Sequence, residues 1–239
     1  MTVTPYNNTS GKKEQVEQMF DNIAHKYDFL NNLLSMGIDR LWRKKAIRLL
    51  SVHKPLSVLD IATGTGDFAI EALKLNPTKI VGVDISEGML EKGREKLIKR
   101  KLDSKITLMK GDSEKLPFSD NSFDAVTVGF GVRNFENLEK GLSDIYRVLN
   151  KNGTFVVLEF SKPTGFPFKQ VYNFYFKYAC PFLGKIISKD ASAYTYLYDS
   201  VQAFPDGENF NKILRNVGFN EVENHKLTGG IATIYIAKK

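Results

Sequence analysis

The sequence predicts an α/β protein built on a mostly parallel sheet, and three observations carry that expectation. Short apolar runs alternate with segments of helical period between residues 54 and 160, the pattern of βαβ units. Glycines and acidic residues gather where the first of those runs end. The last two apolar runs flank Gly229-Gly230, a pair suited to a hairpin, so the sheet should close with antiparallel strands.

Taken in order, residues 13–50 read as helical. Val16, Met19, Phe20, Ile23, Tyr27, Leu30, Leu33 and Leu34 recur at three- and four-residue spacing and make one apolar stripe. Gly37 interrupts it, and a second helix follows through Trp42, Ile47 and Leu50. This predicts a helical appendage over residues 1–53, ahead of a main domain over 54–239. In that domain strands are expected at 56–60, 79–84, 106–109, 123–128 and 153–159, with helices at 68–75, 86–100 and 138–149. The pattern breaks in an insertion at 165–204. There Phe166, Phe168, Tyr172, Phe174, Tyr175, Phe176, Tyr178 and Phe182 crowd eight aromatics into seventeen positions, and Tyr194, Tyr196, Tyr198 and Phe204 follow. A helix at 208–217 and strands at 219–227 and 232–237 complete the chain.

Composition narrows the class. Of 239 residues 42% are hydrophobic and 26% charged, values of a chain with material for a packed core rather than of a disordered one. No stretch has the length and apolarity of a membrane span, and residues 1–11 are polar rather than patterned as a secretory signal. The lone Cys180 excludes an intramolecular disulfide and a cysteine-based zinc site, which fits a reducing cytoplasm. The 34 Lys and Arg against 27 Asp and Glu give a net +7, which either keeps the chain soluble or attracts a polyanion. No base-stacking motif interleaves with the basic residues, so no nucleic acid partner is expected and an anionic membrane surface is preferred.

In open α/β sheets ligands bind beyond the carboxyl ends of the strands. The first strand ends in Asp60-Ile-Ala-Thr-Gly-Thr-Gly-Asp67, the second in Asp84 and the third in Gly111-Asp112. Gly64 and Gly66 permit a tight turn and close approach to a ligand, and Asp84, 18 residues after Gly66, stands where an acid meets a ribose diol. A nucleoside cofactor is expected. Gly64, Gly66 and Ala69 satisfy a loose dinucleotide fingerprint, which keeps an NAD-type oxidoreductase open. Asp60 and Asp67 bracket the glycines, however, and would repel a pyrophosphate drawn to the helix N-terminus. S-adenosylmethionine fits better: its ribose on Asp84, its amino group and sulfonium near Asp60 and Asp67, its adenine amino group near Asp112 and Ser113. The alternative for two of these acids is local, with Asp67 favouring the helix dipole and Asp60 capping a turn.

The blocks 58–67, Gly82-Val-Asp84, Gly111-Asp-Ser-Glu-Lys-Leu-Pro-Phe118 and Phe123-Asp-Ala-Val126 resemble the motif series of class I S-adenosylmethionine-dependent methyltransferases. Tyr27-Asp-Phe-Leu-Asn31, Leu41-Trp-Arg43, Gly129-Phe-Gly-Val-Arg-Asn134, Leu158-Glu-Phe-Ser-Lys-Pro163 and residues 194–200 narrow the resemblance to the ubiquinone/menaquinone biosynthesis C-methyltransferases. The resemblance implies a Rossmann-like, mostly parallel seven-stranded sheet whose aromatic insertion is a lid. It implies methylation of a ring carbon of demethylmenaquinol, or of the benzoquinol precursor of ubiquinone, with S-adenosylmethionine as donor and no metal. Thr63, Thr65, Ile85 and Gly129 join Asp60, Gly64, Gly66, Asp67, Asp84, Asp112 and Ser113 as expected cofactor contacts.

For the acceptor, Arg133 is placed to hold a developing quinolate by charge-assisted hydrogen bonds. Its neighbour Asn134 could cap the next helix. His25 and Tyr27 are candidate proton acceptors, because the appendage is expected to cover the acceptor pocket. A polyprenylated quinol arrives from a membrane. The aromatic insertion, with Lys169, Lys177, Lys185 and Lys189, is expected either to touch the inner face of the cell membrane or to pack as an ordinary lid core. Homo-oligomerisation is left open, as is another small hydrophobic acceptor.

Overall fold

Seven strands form a single sheet in the order β3-β2-β1-β4-β5-β7-β6. In chain order they are β1 Ser57–Ile61, β2 Lys79–Asp84, β3 Ile106–Lys110, β4 Phe123–Gly129, β5 Leu149–Phe160, β6 Asn220–Leu227 and β7 Ala232–Lys238. The first five run parallel, with Val58 opposite Ile80 on one side and Ala125 on the other. β7 lies antiparallel between β5 and β6, so the closing hairpin expected from Gly229-Gly230 is present. The computed structural model describes residues 3–6, 9–174 and 192–239.

Period-two alternation explains the two cores. Leu59, Ile61, Val81, Val83, Val126, Val128, Phe155 and Val157 face one layer, which holds α6 (Leu138–Val148) and α9 (Glu208–Val217) through Leu142, Ile145, Phe210 and Leu214. Val58, Ile80, Ala125, Val156, Leu158 and Ile234 face the other layer, with α4 (Asp67–Ala72), α5 (Glu87–Lys99) and α3 (Ile38–Leu50). Trp42, Ala46, Ile47 and Leu50 of α3 are buried in this second core. Although α3 falls within residues 1–53, it packs as an integral part of the sheet's second layer.

The N-terminal stripe is not one continuous helix. α1 (Lys12–Ile23) ends in a tight three-ten turn, Ala24–Lys26, before α2 (Tyr27–Ser35). The turn lets two polar faces reach different parts of the sheet's upper edge: Asp21 of α1 lies on the start of α5, and Asp28 of α2 on the loop after β1. Val16, Met19 and Ile23 pack with Ala193 and Tyr196 of α8 (Ser192–Ala203), which brings the insertion over the N-terminal helices.

Within the insertion, α7 spans Phe168–Phe174. Tyr172, Tyr196 and Phe204 are buried, whereas Phe166, Phe168 and Phe174 are exposed, Phe166 to 84%. Tyr175, Phe176, Tyr178, Phe182, Cys180, Lys177, Lys185 and Lys189 lie outside the described residues. Among the described residues no helix is long and apolar enough to cross a membrane.

Candidate active site

The strand order reverses at β1, between β2 and β4, and a cavity opens at that switch point beyond the carboxyl ends of the parallel strands. It encloses about 700 Å³ of space, part of it open solvent. Gly64, Asp84, Ile85, Asp112, Ser113 and Gly129 line it, as does Tyr27.

The loop after β1 is a tight turn, with Thr63 N donating to Val83 O at 3.1 Å and Gly66 N to Thr63 O at 2.9 Å. Gly64 (φ +57°) and Gly66 (φ +83°) take left-handed conformations that other residues adopt only at a cost. Asp84 ties this loop to β2. Its carboxylate accepts from Gly64 N at 2.7 Å and from Ser86 N at 2.9 Å. Burial pushes the Asp84 carboxyl above its usual range, against the pull of those backbone amides.

Asp60 and Asp67, expected at a cationic ligand, do not line the cavity. Asp60 is fully buried and accepts hydroxyl hydrogen bonds from Thr63 and from Thr127, its register partner on β4. Burial raises its pKa to about 6. Asp67, in the first turn of α4, pairs with Lys96 at 2.9 Å and Arg43 at 3.3 Å. Burial pushes its carboxyl up, but these two cations outweigh that and hold it below the usual range. Thr65 is likewise used in the frame, donating to Asp28 at 2.6 Å and accepting from Lys96 at 2.7 Å. These residues shape the loop; Gly64 and Asp84 face the ligand space.

At the end of β3, Asp112 accepts from Lys13 Nζ at 2.7 Å and from Glu114 N at 2.9 Å. Burial raises its pKa, but Lys13 and the amide hold it below the usual range. Among the described residues the lining carries Asp84, Asp112, Glu114 and Glu136 against Lys13, a net negative set. That balance would repel a pyrophosphate and suits a cofactor with a cationic centre and no phosphate. The residues present therefore fit S-adenosylmethionine.

Phe20, Tyr27, Phe130 and Asn134 also line the cavity and give it an aromatic wall. Tyr27 meets Phe20 edge-on at 6.1 Å, and burial raises its phenol pKa, which makes it a hydrogen-bond donor rather than a base at neutral pH. His25 is exposed on the three-ten turn and does not line the cavity, since residues two apart on a helix face opposite sides and Tyr27 takes the cavity side. Neither candidate proton acceptor is thus supported in that role.

Arg133 sits behind this wall rather than in it. Its guanidinium pairs with Glu159 at 2.7 Å, donates to Phe130 O and lies 5.6 Å from the centre of the Phe160 ring. The pair is almost fully buried, with side-chain exposures of 8% and 0%. Arg133 Nε is buried without a hydrogen-bond partner among the described residues. Asn134 does not cap α6, a role taken by Asn137, which accepts from Lys140 N. Asn134 Oδ1 instead accepts from Tyr196 OH at 3.1 Å.

The sequence reading missed the polar face of α1. Lys13 reaches Asp112, Glu17 reaches Lys110 at 2.7 Å, and Asp21 accepts from Ser86 Oγ at 2.6 Å and Gly88 N at 2.9 Å. The signal was present as a charged stripe at 13, 17 and 21, the i,i+4 spacing of one helical face.

A model of the ubiE/COQ5 methyltransferase family matches residues 8–239. The chain belongs to that family. The demethylmenaquinone methyltransferase of Bacteroides fragilis is 52% identical over 99% of this chain and 97% of its own length. The ubiquinone/menaquinone biosynthesis C-methyltransferase UbiE of Geotalea uraniireducens is 45% identical over 95% of this chain and 97% of its own. A solved S-adenosylmethionine-dependent methyltransferase of Thermotoga maritima shares the fold, with a TM-score of 0.66 at 21% identity over 93% of this chain and 98% of that one. Membership of the ubiE/COQ5 family leaves the NAD-type alternative without support. It also matches the acidic, phosphate-averse lining of the cavity.

Proposed function

We propose that this protein transfers a methyl group from S-adenosylmethionine to a ring carbon of demethylmenaquinol, giving menaquinol. The observation that carries the acceptor is the identity of 52%, over nearly the full length of both chains, to a relative named for that activity. The cavity supports the same reading: acids from the end of β2 and from the segments after β3 and β4 share it with the rings of Phe20, Tyr27 and Phe130.

S-adenosylmethionine, when bound, supplies an electrophilic methyl group. Gly64, Asp84, Ile85, Asp112, Ser113 and Gly129 would hold it, with Asp84 on the ribose hydroxyls and Asp112 with Ser113 at the adenine. Asp60, Thr63, Thr65, Gly66 and Asp67 keep the loop after β1 in shape. Phe20, Tyr27 and Phe130 offer apolar rings to the quinol, and Tyr27 is available as a hydrogen-bond donor to a ring oxygen. Arg133, paired with Glu159 and donating to Phe130 O, would hold the segment after β4 in place behind the acceptor. The chain's part is mainly to orient two ligands and exclude water.

The exposed Phe166, Phe168 and Phe174, beside Lys169, would meet an anionic membrane surface from which the polyprenyl tail arrives, with the protein on the cytoplasmic face. Incubation with reduced demethylmenaquinone, its oxidised form and a prenylated benzoquinol, read by mass spectrometry, tests the acceptor. A methylated product from the reduced naphthoquinone is expected. Methylation of the benzoquinol alone would reassign the acceptor, and co-sedimentation with anionic but not neutral vesicles tests the membrane contact.

A further inference from the structure

Lys12 opens α1, and its ammonium is used outside its own helix. Nζ donates to the main-chain carbonyls of Arg133 at 2.9 Å and Phe135 at 2.8 Å. These two carbonyls flank Asn134, whose own amide bonds back to Gly131 O at 3.0 Å. The segment 130–136 follows β4, and Phe130, Gly131, Asn134, Phe135 and Glu136 from it line the cavity. A single side chain, 121 and 123 residues away in sequence, therefore clamps one wall of the cavity.

The placement is costly. Lys12 is half-buried, and no carboxylate lies within ion-pair distance of it among the described residues, while Arg133 repels it and Glu114 and Glu136 attract it from farther off. Burial first, and Arg133 second, bring its pKa down to about 8. Its neighbour Lys13 makes the ordinary choice, a salt bridge to Asp112. An ammonium kept without a counterion and spent on two carbonyls is holding backbone, since carbonyls at the end of the three-ten turn Val132–Asn134 have no donor within the turn to fix them.

We propose that Lys12 is a positioning residue for methyl transfer, fixing the segment 130–136 so that Asn134 and the ring of Phe130 present one surface to the acceptor. The inference rests on the reading of that segment as the acceptor wall. Lys12 acts through the segment and touches neither ligand.

Lys12→Met keeps the length and apolar stem and removes the donors; Lys12→Arg retains donors and charge. In the full-length protein, Lys12→Met is expected to lower kcat/KM for the quinol by about tenfold or more, the scale of one or two lost charge-assisted hydrogen bonds. Affinity for S-adenosylhomocysteine should stay within about twofold, because Gly64 and Asp84 are held independently of this contact. The amides of Asn134 and Phe135 should exchange with deuterium about tenfold faster, while those of β1 and β4 keep their protection. Lys12→Arg should restore most of both effects. Wild-type exchange at 134–135 in Lys12→Met would overturn the proposal, as would an equal loss of cofactor affinity. If the wild-type protein leaves demethylmenaquinol unmethylated, the acceptor reading fails by itself, and the exchange experiment still decides whether Lys12 holds the segment.

Discussion

Replacing Asp84 by alanine probes the cofactor wall at its most connected point. The carboxylate accepts from Gly64 N at 2.7 Å and Ser86 N at 2.9 Å, and it also lines the cavity. A hydrogen bond to a charged group is worth roughly 1.5–3 kcal/mol. Removing the carboxylate forfeits both backbone bonds but also relieves the cost of a buried charge that raises its pKa. Those effects on the free protein largely offset, and the ligand's own contact is what remains. We expect cofactor affinity to weaken by about 1.5–3 kcal/mol, roughly ten- to 150-fold in Kd. Calorimetric titration of S-adenosylhomocysteine into the variant, with its fold verified by circular dichroism, reads this directly. Asp67→Ala serves as the contrast: its carboxylate is engaged by Lys96 and Arg43 away from the cavity, so its Kd should move by no more than about threefold. Unchanged affinity in a folded Asp84→Ala protein, or an equal loss in both variants, would refute this division of roles.

Other perturbations test the supporting frame. Arg133→Met leaves Glu159 buried and unpaired, and should cost about 3–5 kcal/mol in urea unfolding; Arg133→Met with Glu159→Leu should recover most of it, and a single-variant loss below about 1 kcal/mol would contradict the buried pair. Asp60 has a folded pKa near 6 against 3.8 unfolded, so the unfolded state ionises first as pH rises. Its contribution to stability should therefore fall by about 2 kcal/mol between pH 4 and 6.5 and then level off. Asp60→Asn should lose that slope, and identical pH profiles would count against the assignment. Gly64→Ala forces a left-handed conformation on alanine and brings its Cβ to 3.1 Å from Met89 Cε; a loss of about 1–2 kcal/mol is expected, and a neutral effect would show that the loop relaxes.

The strands were legible because a parallel sheet buried on both faces needs uninterrupted apolar runs, as in 79–84 and 153–159, and the helices between them keep their own period. Gly64, Asp84 and Asp112 were legible because glycines and acids gathered at the carboxyl ends of parallel strands mark the ligand crevice of such a sheet. Asp60 and Asp67 carry the same local signature, and only their partners separate them. Thr127 lies across the sheet, and Arg43 and Lys96 stand 24 and 29 residues away, so no local pattern shows those carboxylates already engaged. Arg133 was read toward the acceptor because Glu159, at the end of the next strand, was not set against it. His25 and Tyr27 were both placed on the N-terminal helix, but two positions apart they face opposite sides, and only Tyr27, on the apolar stripe, reaches the cavity. The clamp by Lys12 joins residues more than 120 positions apart, beyond the reach of a local reading.

The most direct test of the account is transfer of label from methyl-labelled S-adenosylmethionine to chemically reduced demethylmenaquinone in detergent, with the labelled position in the product determined by NMR. The account predicts one label per molecule, on a ring carbon of the naphthoquinol and dependent on reduction. Label on a ring oxygen, or no lipid product from protein that still binds S-adenosylhomocysteine, would contradict it.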